Sequence, residues 1–344
     1  MSLEFRHIAH AYGKEQALRD VSFTAPAGEI TCLLGSSGCG KSTLLNLAAG
    51  LLDVQQGSIH IDGEELAAPG HAPPPEKRPV GLVFQDGALF PHMTIAGNLA
   101  FGLPKDRHAS VPGWLEQVGL AGLGERYPHE LSGGQQQRAA LARAIAPGPR
   151  VLLMDEPFAS VDIVFRRRLR RDCRVLLRER GTTSVLVTHD PDEALDIADW
   201  IAVMEEGRIV QFGTPADLYE RPVAASVGAM FGGAQIVRAR RAGGGRADGG
   251  FATPFGIWPR SAVVGAVPDT QQLDLLVDAE RLDLVSDPEG MVVSDVHSRG
   301  RRTRILLRNN GKEEMTVIVN EPVDASRRYR PVPQGGSVRA FAVE

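Results

Sequence analysis

The chain has 344 residues, of which 43% are hydrophobic and 23% charged, with a net charge of −4. This length favours two domains, and a charge so near neutral gives no support to nucleic-acid binding by the chain as a whole. Three scattered cysteines (Cys32, Cys39 and Cys173) form neither a metal spacing nor a disulfide framework, which favours a reducing compartment. We find no secretion signal and no apolar run of membrane-spanning length, so the sequence predicts a soluble protein whose membrane role would need a partner.

The first part of the chain predicts strands followed by a helix. Alternating apolar and polar residues in 2–13 and 17–29 indicate half-buried strands, and the apolar run EITCLLG indicates a buried one. Residues 41–52 are typical of a helix. Residues 57–66 are typical of a strand with a turn at Asp62–Gly63.

The middle of the chain predicts an α/β fold with an insertion. From about residue 86 to 146 the pattern is helical, which indicates an inserted helical subdomain. The run RVLLMDEP indicates a buried strand, 161–180 an Arg-rich helix, TTSVLVTHD a further strand and 191–200 a helix with Pro191 at its start. IAVMEEGRIVQFG indicates a hairpin. Strands that alternate with helices predict a mostly parallel sheet with helices on its faces.

The sequence changes character near 231–233, where helical patterns give way to short β-like runs. Glycine-rich turns separate some of these runs, which include AQIVRAR, LDLLVDA, TRILLRN, MTVIVN and SVRAFAV. We therefore expect a first domain over 1–232 and a small all-β barrel or sandwich over 233–344.

A glycine-rich phosphate loop lies between the predicted buried strand and the helix at 41–52. Its glycines allow backbone amides to surround phosphates, Lys41 can reach the β- and γ-phosphates, and Ser42 can offer a hydroxyl to Mg²⁺. The complete pattern with both flanks makes an ordinary glycine turn a poor alternative. The nucleotide-binding candidates of this loop are Gly35, Ser36, Ser37, Gly38, Cys39, Gly40, Lys41, Ser42 and Thr43.

Polar residues follow three of the predicted strands. Asp155 can hold Mg²⁺ through water and Glu156 can deprotonate an attacking water, although a solvated acidic turn would look the same in isolation. His189 can sense a γ-phosphate, although a lone histidine is more often structural. Gln85 could bind water or Mg²⁺ but is a weak signal alone, and Tyr12 could stack on a base or belong to the core.

A second candidate anion site lies in ELSGGQQQRAALARA. Ser132 can cap a helix, and Gly133 and Gly134 permit close approach to its N-terminus, where free amides and the helix dipole favour an anion. The Arg-rich run at 161–180 predicts an amphipathic helix with a solvated cationic face rather than a nucleic-acid interface.

The ordered set of phosphate loop, Gln85, LSGGQQQR, LLMDEP, Asp162 and THD resembles the nucleotide-binding subunit of an ATP-binding cassette (ABC) transporter over about residues 3–222. The β-rich tail resembles the OB-like (TOBE) regulatory module of importer ATPases. The stretch PPPEKRPVGLVFQDGALFPHMTIAGNLAFGL most resembles the subgroup that serves ferric iron, with polyamine, thiamine and sulfate importers close behind.

This resemblance implies a P-loop NTPase that binds ATP and Mg²⁺. Tyr12 would stack on adenine, Glu156 would be the catalytic base, and Lys41, His189 and Gln85 would complete the catalytic set. The implied magnesium ligands are Ser42, Gln85 and Asp155. Contacts to the nucleotide of a second protomer are implied for Ser132, Gly133, Gly134 and Gln135, and a contact across the dimer interface for Asp162.

The family also implies partners and a location. We expect a head-to-tail homodimer, two integral membrane permease subunits, an external solute-binding protein, no nucleic acid, and a peripheral position on the cytoplasmic face of a prokaryotic membrane. Three alternatives stay open: a soluble ABC ATPase of translation or DNA repair, an exporter subunit, and a regulatory binding module built on the β-rich tail, which is compatible with import.

Overall fold

The structure is a computed structural model that describes residues 1–85, 87–159, 161, 163–231, 233–242 and 249–343, without the side chains of 163–165 and 299. Contacts divide the chain into two compact units, Met1–Asp217 and Leu218–Glu344. The boundary after residue 232 that we expect from the sequence separates two domains of the family, not two compact units, and it stays a prediction.

A twisted antiparallel sheet begins the first unit, with strand order β2-β1-β4-β5. Its strands are β1 (Leu3–Tyr12), β2 (Glu15–Ala25), β4 (Gln56–Ile61) and β5 (Glu64–Ala67). Asp62 and Gly63 both have positive φ in the tight turn from β4 to β5, as a two-residue hairpin requires. The strands and the turn predicted for this region are confirmed.

The second sheet of this unit is mostly parallel, with strand order β10-β9-β3-β8-β7-β6 and only β10 antiparallel to its neighbour. Its strands are β3 (Ile30–Leu34), β6 (Val80–Val83), β7 (Val151–Asp155), β8 (Thr183–Thr188), β9 (Trp200–Glu205) and β10 (Arg208–Gly213). All residues of β3 and β8 are buried, which accounts for their continuous apolar runs. The predicted α/β class is confirmed.

Helices connect the parallel strands. They are α1 (Lys41–Ala49), α2 (Ile95–Phe101), α3 (Val111–Gln117), α4 (Gly133–Ile145), α5 (Ile163–Arg180) and α6 (Pro191–Ile197). Helix α7 (Pro215–Glu220) follows the last strand, β10, and connects no parallel strands. The connection from β6 to β7 carries α2, α3 and α4. The helix predicted over 191–200 ends early, because the amide of Asp199 donates to the carbonyl of Ile30 and Trp200 opens β9.

The second unit is β-rich, as predicted, and the short helix α8 (Ala225–Met230) lies near its start. One sheet has the order β13-β12-β11-β14-β19 and the other β17-β16-β15-β18. The strands are β11 (Ala234–Arg241), β12 (Phe251–Thr253), β13 (Gly256–Trp258), β14 (Gln272–Asp278), β15 (Leu282–Arg299), β16 (Arg302–Arg308), β17 (Glu314–Val319), β18 (Arg328–Pro333) and β19 (Val338–Ala342). Apolar residues from both sheets form one core, for example Leu275 and Ile305.

Candidate nucleotide site

The phosphate loop joins the buried strand β3 to α1, and its backbone can be formed only with glycine at two positions. At Gly35 an added Cβ would lie 2.2 Å from the carbonyl oxygen of Met204, and at Gly40 it would lie 2.5 Å from that of Ala17. Gly40 also has φ +105°, a left-handed conformation that side chains disfavour. These two glycines are therefore requirements of the chain itself.

Helix α1 begins at Gly40 without a side-chain cap. Its first amides therefore have no side-chain acceptor, and together with the helix dipole they provide a site for an anion. Residues 36–38 are exposed at the tip of the loop, whereas Cys39 is buried beneath it. This helix start is therefore a candidate phosphate site.

Lys41 lies in the loop with only 5% of its surface exposed. Its Nζ donates to the carbonyl oxygens of Gly35 and Ser36, both at 2.8 Å. Nζ also lies 3.7 Å from Sγ of Cys39, and because sulfur is a weak acceptor, a phosphate oxygen is the better partner for the third donor of the ammonium group. The site therefore contains a buried cation, held beneath the loop.

The end of β7 brings a carboxylate to the start of α1. The hydroxyl of Ser42 donates to Oδ1 of Asp155 at 3.1 Å. Burial raises the pKa of Asp155, while the Ser42 hydrogen bond opposes that effect and the neighbouring charge of Glu156 adds to it. One hydroxyl and one carboxylate are hard oxygen donors, which suit Mg²⁺ together with phosphate oxygens and water. In the described part of the chain no group of three or more His, Cys, Asp or Glu side chains could hold a metal alone.

Glu156 and His189 meet where two adjacent parallel strands, β7 and β8, come to an end. His189 Nδ1 lies 3.1 Å from Oε1 of Glu156. Glu156 has φ +41°, and its amide donates to the carbonyl of Val187 at 3.1 Å. A carboxylate residue held in a left-handed backbone conformation is costly and is most often found where function needs that geometry.

Tyr12 lies at the end of β1 and is half exposed. Its hydroxyl is 3.4 Å from Oγ1 of Thr43, and the ring of His10 contacts it edge-on at 4.9 Å between centroids. The structure thus places an exposed aromatic face beside the phosphate-loop helix. From the sequence, Tyr12 could stack on a base or belong to the core. The core interpretation is wrong, because half of the residue is exposed.

Helix α4 begins with a complete capping box. Ser132 Oγ accepts from the amide of Gln135 at 3.4 Å, and the amide of Ser132 donates to Oε1 of Gln135 at 2.9 Å. Gly133 and Gly134 form the first turn. At Gly134 an added Cβ would find its nearest atom, Cγ1 of Val161, 3.9 Å away, which is ordinary contact.

The remaining predicted residues are not joined to the phosphate loop. Gln85 lies exposed in a turn after β6, where the amide of Gly87 donates to the carbonyl of Phe84. Within the described residues no hydrogen bond connects Gln85, or the α4 N-terminus, with Lys41, Ser42 or Asp155. Asp162 lies outside the described residues.

Sequence reasoning missed a buried charge cluster behind the site. We expected a solvated cationic face on α5, and this is wrong for Arg170, which is 6% exposed and pairs with carboxylates of the β8–α6 segment. It also missed Arg78, whose guanidinium donates to the carbonyls of Leu47 and Ala48 at the end of α1. For the Arg170 cluster, the available signal in the sequence was the spacing of acidic residues in THDPDEALD.

Comparison with known proteins gives a consistent result. Residues 18–159 match the family model described as "ABC transporter". The chain is 40% identical over 329 residues to the sulfate/thiosulfate import ATP-binding protein CysA 2 of Chromobacterium violaceum, a match that covers 90% of this chain and 84% of that protein. It is 44% identical over 243 residues to the Fe(3+) ions import ATP-binding protein FbpC of Pseudomonas fluorescens, with 70% and 69% covered.

A mycobacterial relative is similar over a shorter range. The sulfate/thiosulfate import ATP-binding protein CysA of Mycobacterium bovis is 49% identical over 227 residues, which is 64% of each chain. Among the described helices none is both long and apolar enough to cross a membrane.

Proposed function

This chain belongs to the ATP-binding proteins of ABC transporters, which are ATPases, and we propose that it powers import of a small inorganic solute as one of two identical ATPase subunits. One observation carries the proposal. The buried Lys41, the Ser42–Asp155 pair and the Glu156–His189 pair all come from segments at the carboxyl ends of the parallel strands β3, β7 and β8. This is the set of groups that phosphoryl transfer to water requires.

ATP hydrolysis follows from this arrangement. The amides of the phosphate loop and Lys41 bind the phosphates, and Tyr12 stacks on the adenine. Glu156 accepts the proton of the attacking water, and His189 contacts the γ-phosphate. The 3.1 Å contact between Glu156 and His189 keeps one carboxylate oxygen turned toward the histidine and leaves the other for water.

Ser42 and Asp155 would hold Mg²⁺, because their oxygens already lie within hydrogen-bond distance of each other. When bound, the ion neutralises charge on the β- and γ-phosphates. We propose Gln85 as a further ligand, directly or through water, on the strength of the family resemblance.

Two chains closing head to tail explain the start of α4. Ser132 and Gln135 satisfy this helix start internally, and the described chain has room for a side chain at Gly134. Glycine at position 134 is therefore not required by the fold of one subunit. We propose that Ser132, Gly133, Gly134 and Gln135 contact the γ-phosphate held by the partner, and that Asp162 lies in the same interface.

The finer domain assignments are part of the proposal. Helices α2–α4, in the connection from β6 to β7, fit the helical subdomain expected over about 86–146. The two small sheets that share an apolar core fit a TOBE-like regulatory module over 233–344, with 1–232 as the ATPase domain.

Permease subunits and a solute-binding protein complete the proposed importer. We place the chain peripherally on the cytoplasmic face of a prokaryotic membrane, held there by two permeases. Ferric iron and sulfate or thiosulfate are the candidate cargoes, since relatives bear both names. The match to the sulfate/thiosulfate protein extends over 329 residues and so reaches into the β-rich unit. We therefore keep sulfate or thiosulfate as the second candidate cargo, after ferric iron.

Two measurements test the proposal. The purified chain should release phosphate from ATP only when Mg²⁺ is present, and absence of that activity would overturn the ATPase assignment. Deleting the gene should reduce uptake of radioactive ferric iron or of radioactive sulfate. If both uptakes are unchanged while the ATPase is active, the import role or the cargo class is wrong.

A further inference from the structure

A buried guanidinium on α5 holds three carboxylates of the β8–α6 segment. Arg170 Nη2 lies 2.8 Å from Asp190 Oδ2 and 3.3 Å from Glu193 Oε2, and Nη1 lies 3.3 Å from Asp196 Oδ2. The side chain of Arg170 is 8% exposed and that of Glu193 is 5% exposed. An arginine with this many charged partners in the interior is held in one orientation, because its planar fork matches carboxylates at fixed angles.

Asp190 is fixed from two sides. Its Oδ1 accepts from the amides of Asp192 and Glu193 at the start of α6, while its Oδ2 faces Arg170. Its own amide donates to Oγ1 of Thr188. The backbone at residues 188–190 is thus bound to β8, to α6 and to α5 at once.

His189 is the residue enclosed by these bonds. Its neighbour Asp190 is anchored to Arg170, and its own ring contacts Glu156. We propose that Arg170 is a positioning residue, which acts through Asp190 to set the direction in which His189 faces Glu156 and the γ-phosphate. This inference rests on the proposed ATPase mechanism, and Arg170 itself touches no reacting atom.

Stability alone does not account for this cluster. Buried ion pairs are often no more stabilising than well-packed apolar side chains, because both charges lose their hydration. Burial raises the pKa of Glu193 to about 7, against the opposing effect of Arg170. Glu193 Oε1 and Arg170 Nε find no hydrogen-bond partner in the described part of the molecule, so the cluster also leaves polar atoms unsatisfied. What the arrangement provides is a defined angle between α5 and residues 188–190.

Arg174, one turn further along α5, supplies a matched control. Its guanidinium donates to the carbonyl of Ile197 and to Asp199, so it also ties α5 to the segment that follows β8. It has no bond to Asp190. A loss of tethering in general should therefore appear in variants of both arginines, whereas a positioning role belongs to Arg170 alone.

The test compares Arg170→Lys with Arg174→Lys in the full-length chain. Lysine keeps the charge but not the planar fork, so Arg170→Lys should lower kcat for ATP by roughly 10- to 100-fold while KM stays within about twofold. Arg174→Lys should leave both constants near those of the wild type. Equal losses in both variants, or a change in KM alone, would contradict the proposal.

A spectroscopic measurement separates this inference from the ATPase assignment. The imidazole NMR signal of His189, identified by its loss in His189→Gln, should move in Arg170→Lys and in Asp190→Asn but not in Arg174→Lys. Asn keeps the helix cap at 190 while removing the charge, which covers the case in which Arg170→Lys fails to fold. A His189 signal that is unchanged in both variants would overturn the inference even in an active ATPase. If the signal moves in these variants but the wild-type protein has no ATPase activity, the positioning role of Arg170 stands and the proposed function is wrong.

Discussion

Helices α1 and α4 both begin at glycine-rich segments, and their N-termini are satisfied in opposite ways. At α1 no side chain caps the helix, and the cationic side chain of Lys41 lies buried beneath the loop. At α4 Ser132 and Gln135 cap each other's backbone. The start of α1 can therefore bind an anion without help from a second chain. The second is already stable without one.

The glycines of the two segments differ in the same sense. Gly40 has φ +105° and no space for a Cβ, so the fold of one chain requires it. Gly134 has space, and its helix would gain stability from alanine. A helix start that the chain stabilises by itself, and that carries glycine where a side chain would fit, is what the proposed head-to-tail dimer would need, because a second molecule would approach it there. Four substitutions test this contrast.

The largest effect is expected at α1. Lys41→Ala removes the buried ammonium and should weaken ATP binding by roughly 100-fold, because charge-assisted hydrogen bonds to phosphate are lost. Calorimetric titration with ATP in the absence of Mg²⁺ measures this without turnover. Lys105→Ala, at an exposed lysine, is the control. An unchanged affinity in Lys41→Ala would show that α1 is not the phosphate site.

Glu156→Gln should trap an ATP-bound dimer, in which α1 of one chain and α4 of the other contact the same ATP. Losing the base should slow hydrolysis by roughly 100- to 10,000-fold, while ATP stays bound and holds the dimer. Phosphate release and light-scattering mass with ATP measure the two effects. Glu206→Gln, the same change at an exposed glutamate that also has positive φ, should do neither. Normal steady-state hydrolysis by Glu156→Gln would refute the base assignment.

Gly134→Ala should separate stability from activity. Without nucleotide, thermal unfolding should show equal or greater stability, by up to about 1 kcal/mol, since alanine favours the helix. Phosphate release should fall roughly 10- to 100-fold, because the new methyl group displaces the approaching partner. The counterpart Gly40→Ala should instead lower the stability of the single chain. Full ATPase activity in Gly134→Ala would remove the main support for the head-to-tail dimer.

The smallest effect is the loss of a cap. Ser132→Ala and Thr94→Ala each remove a side-chain acceptor at a helix start, of α4 and of α2 respectively. Each should cost about 1 kcal/mol in the free energy of unfolding measured by urea titration. Only Ser132→Ala should also weaken the ATP-dependent dimer. Identical behaviour of the two variants in dimerisation would reduce Ser132 to a structural cap.

Local patterns predicted much of the fold. The buried strands β3, β7 and β8 could be located because both faces are covered, which requires a run of apolar residues, and Asp62–Gly63 because only a few residues adopt the turn. The 18-residue strand β15 was not predicted, since its SDPEG segment is typical of a turn. In the structure this segment is an irregularity in the pairing with β18, between Ser286 and Met291, and the strand continues beyond it.

The α/β class and the phosphate loop could be predicted from the sequence, as could the candidate groups proposed to act on ATP, because these depend on residue types at short, fixed spacing. The folded chain was needed to show that Ser42 meets Asp155 across a separation of 113 residues, and that Glu156 meets His189 across 33. It also shows that Arg170 turns inward to Asp190, whereas Arg167, Arg168 and Arg171 on the same helix are exposed. Which side chains meet depends on how strands order themselves in a sheet and how helices pack on it, and no local pattern of residues carries that information.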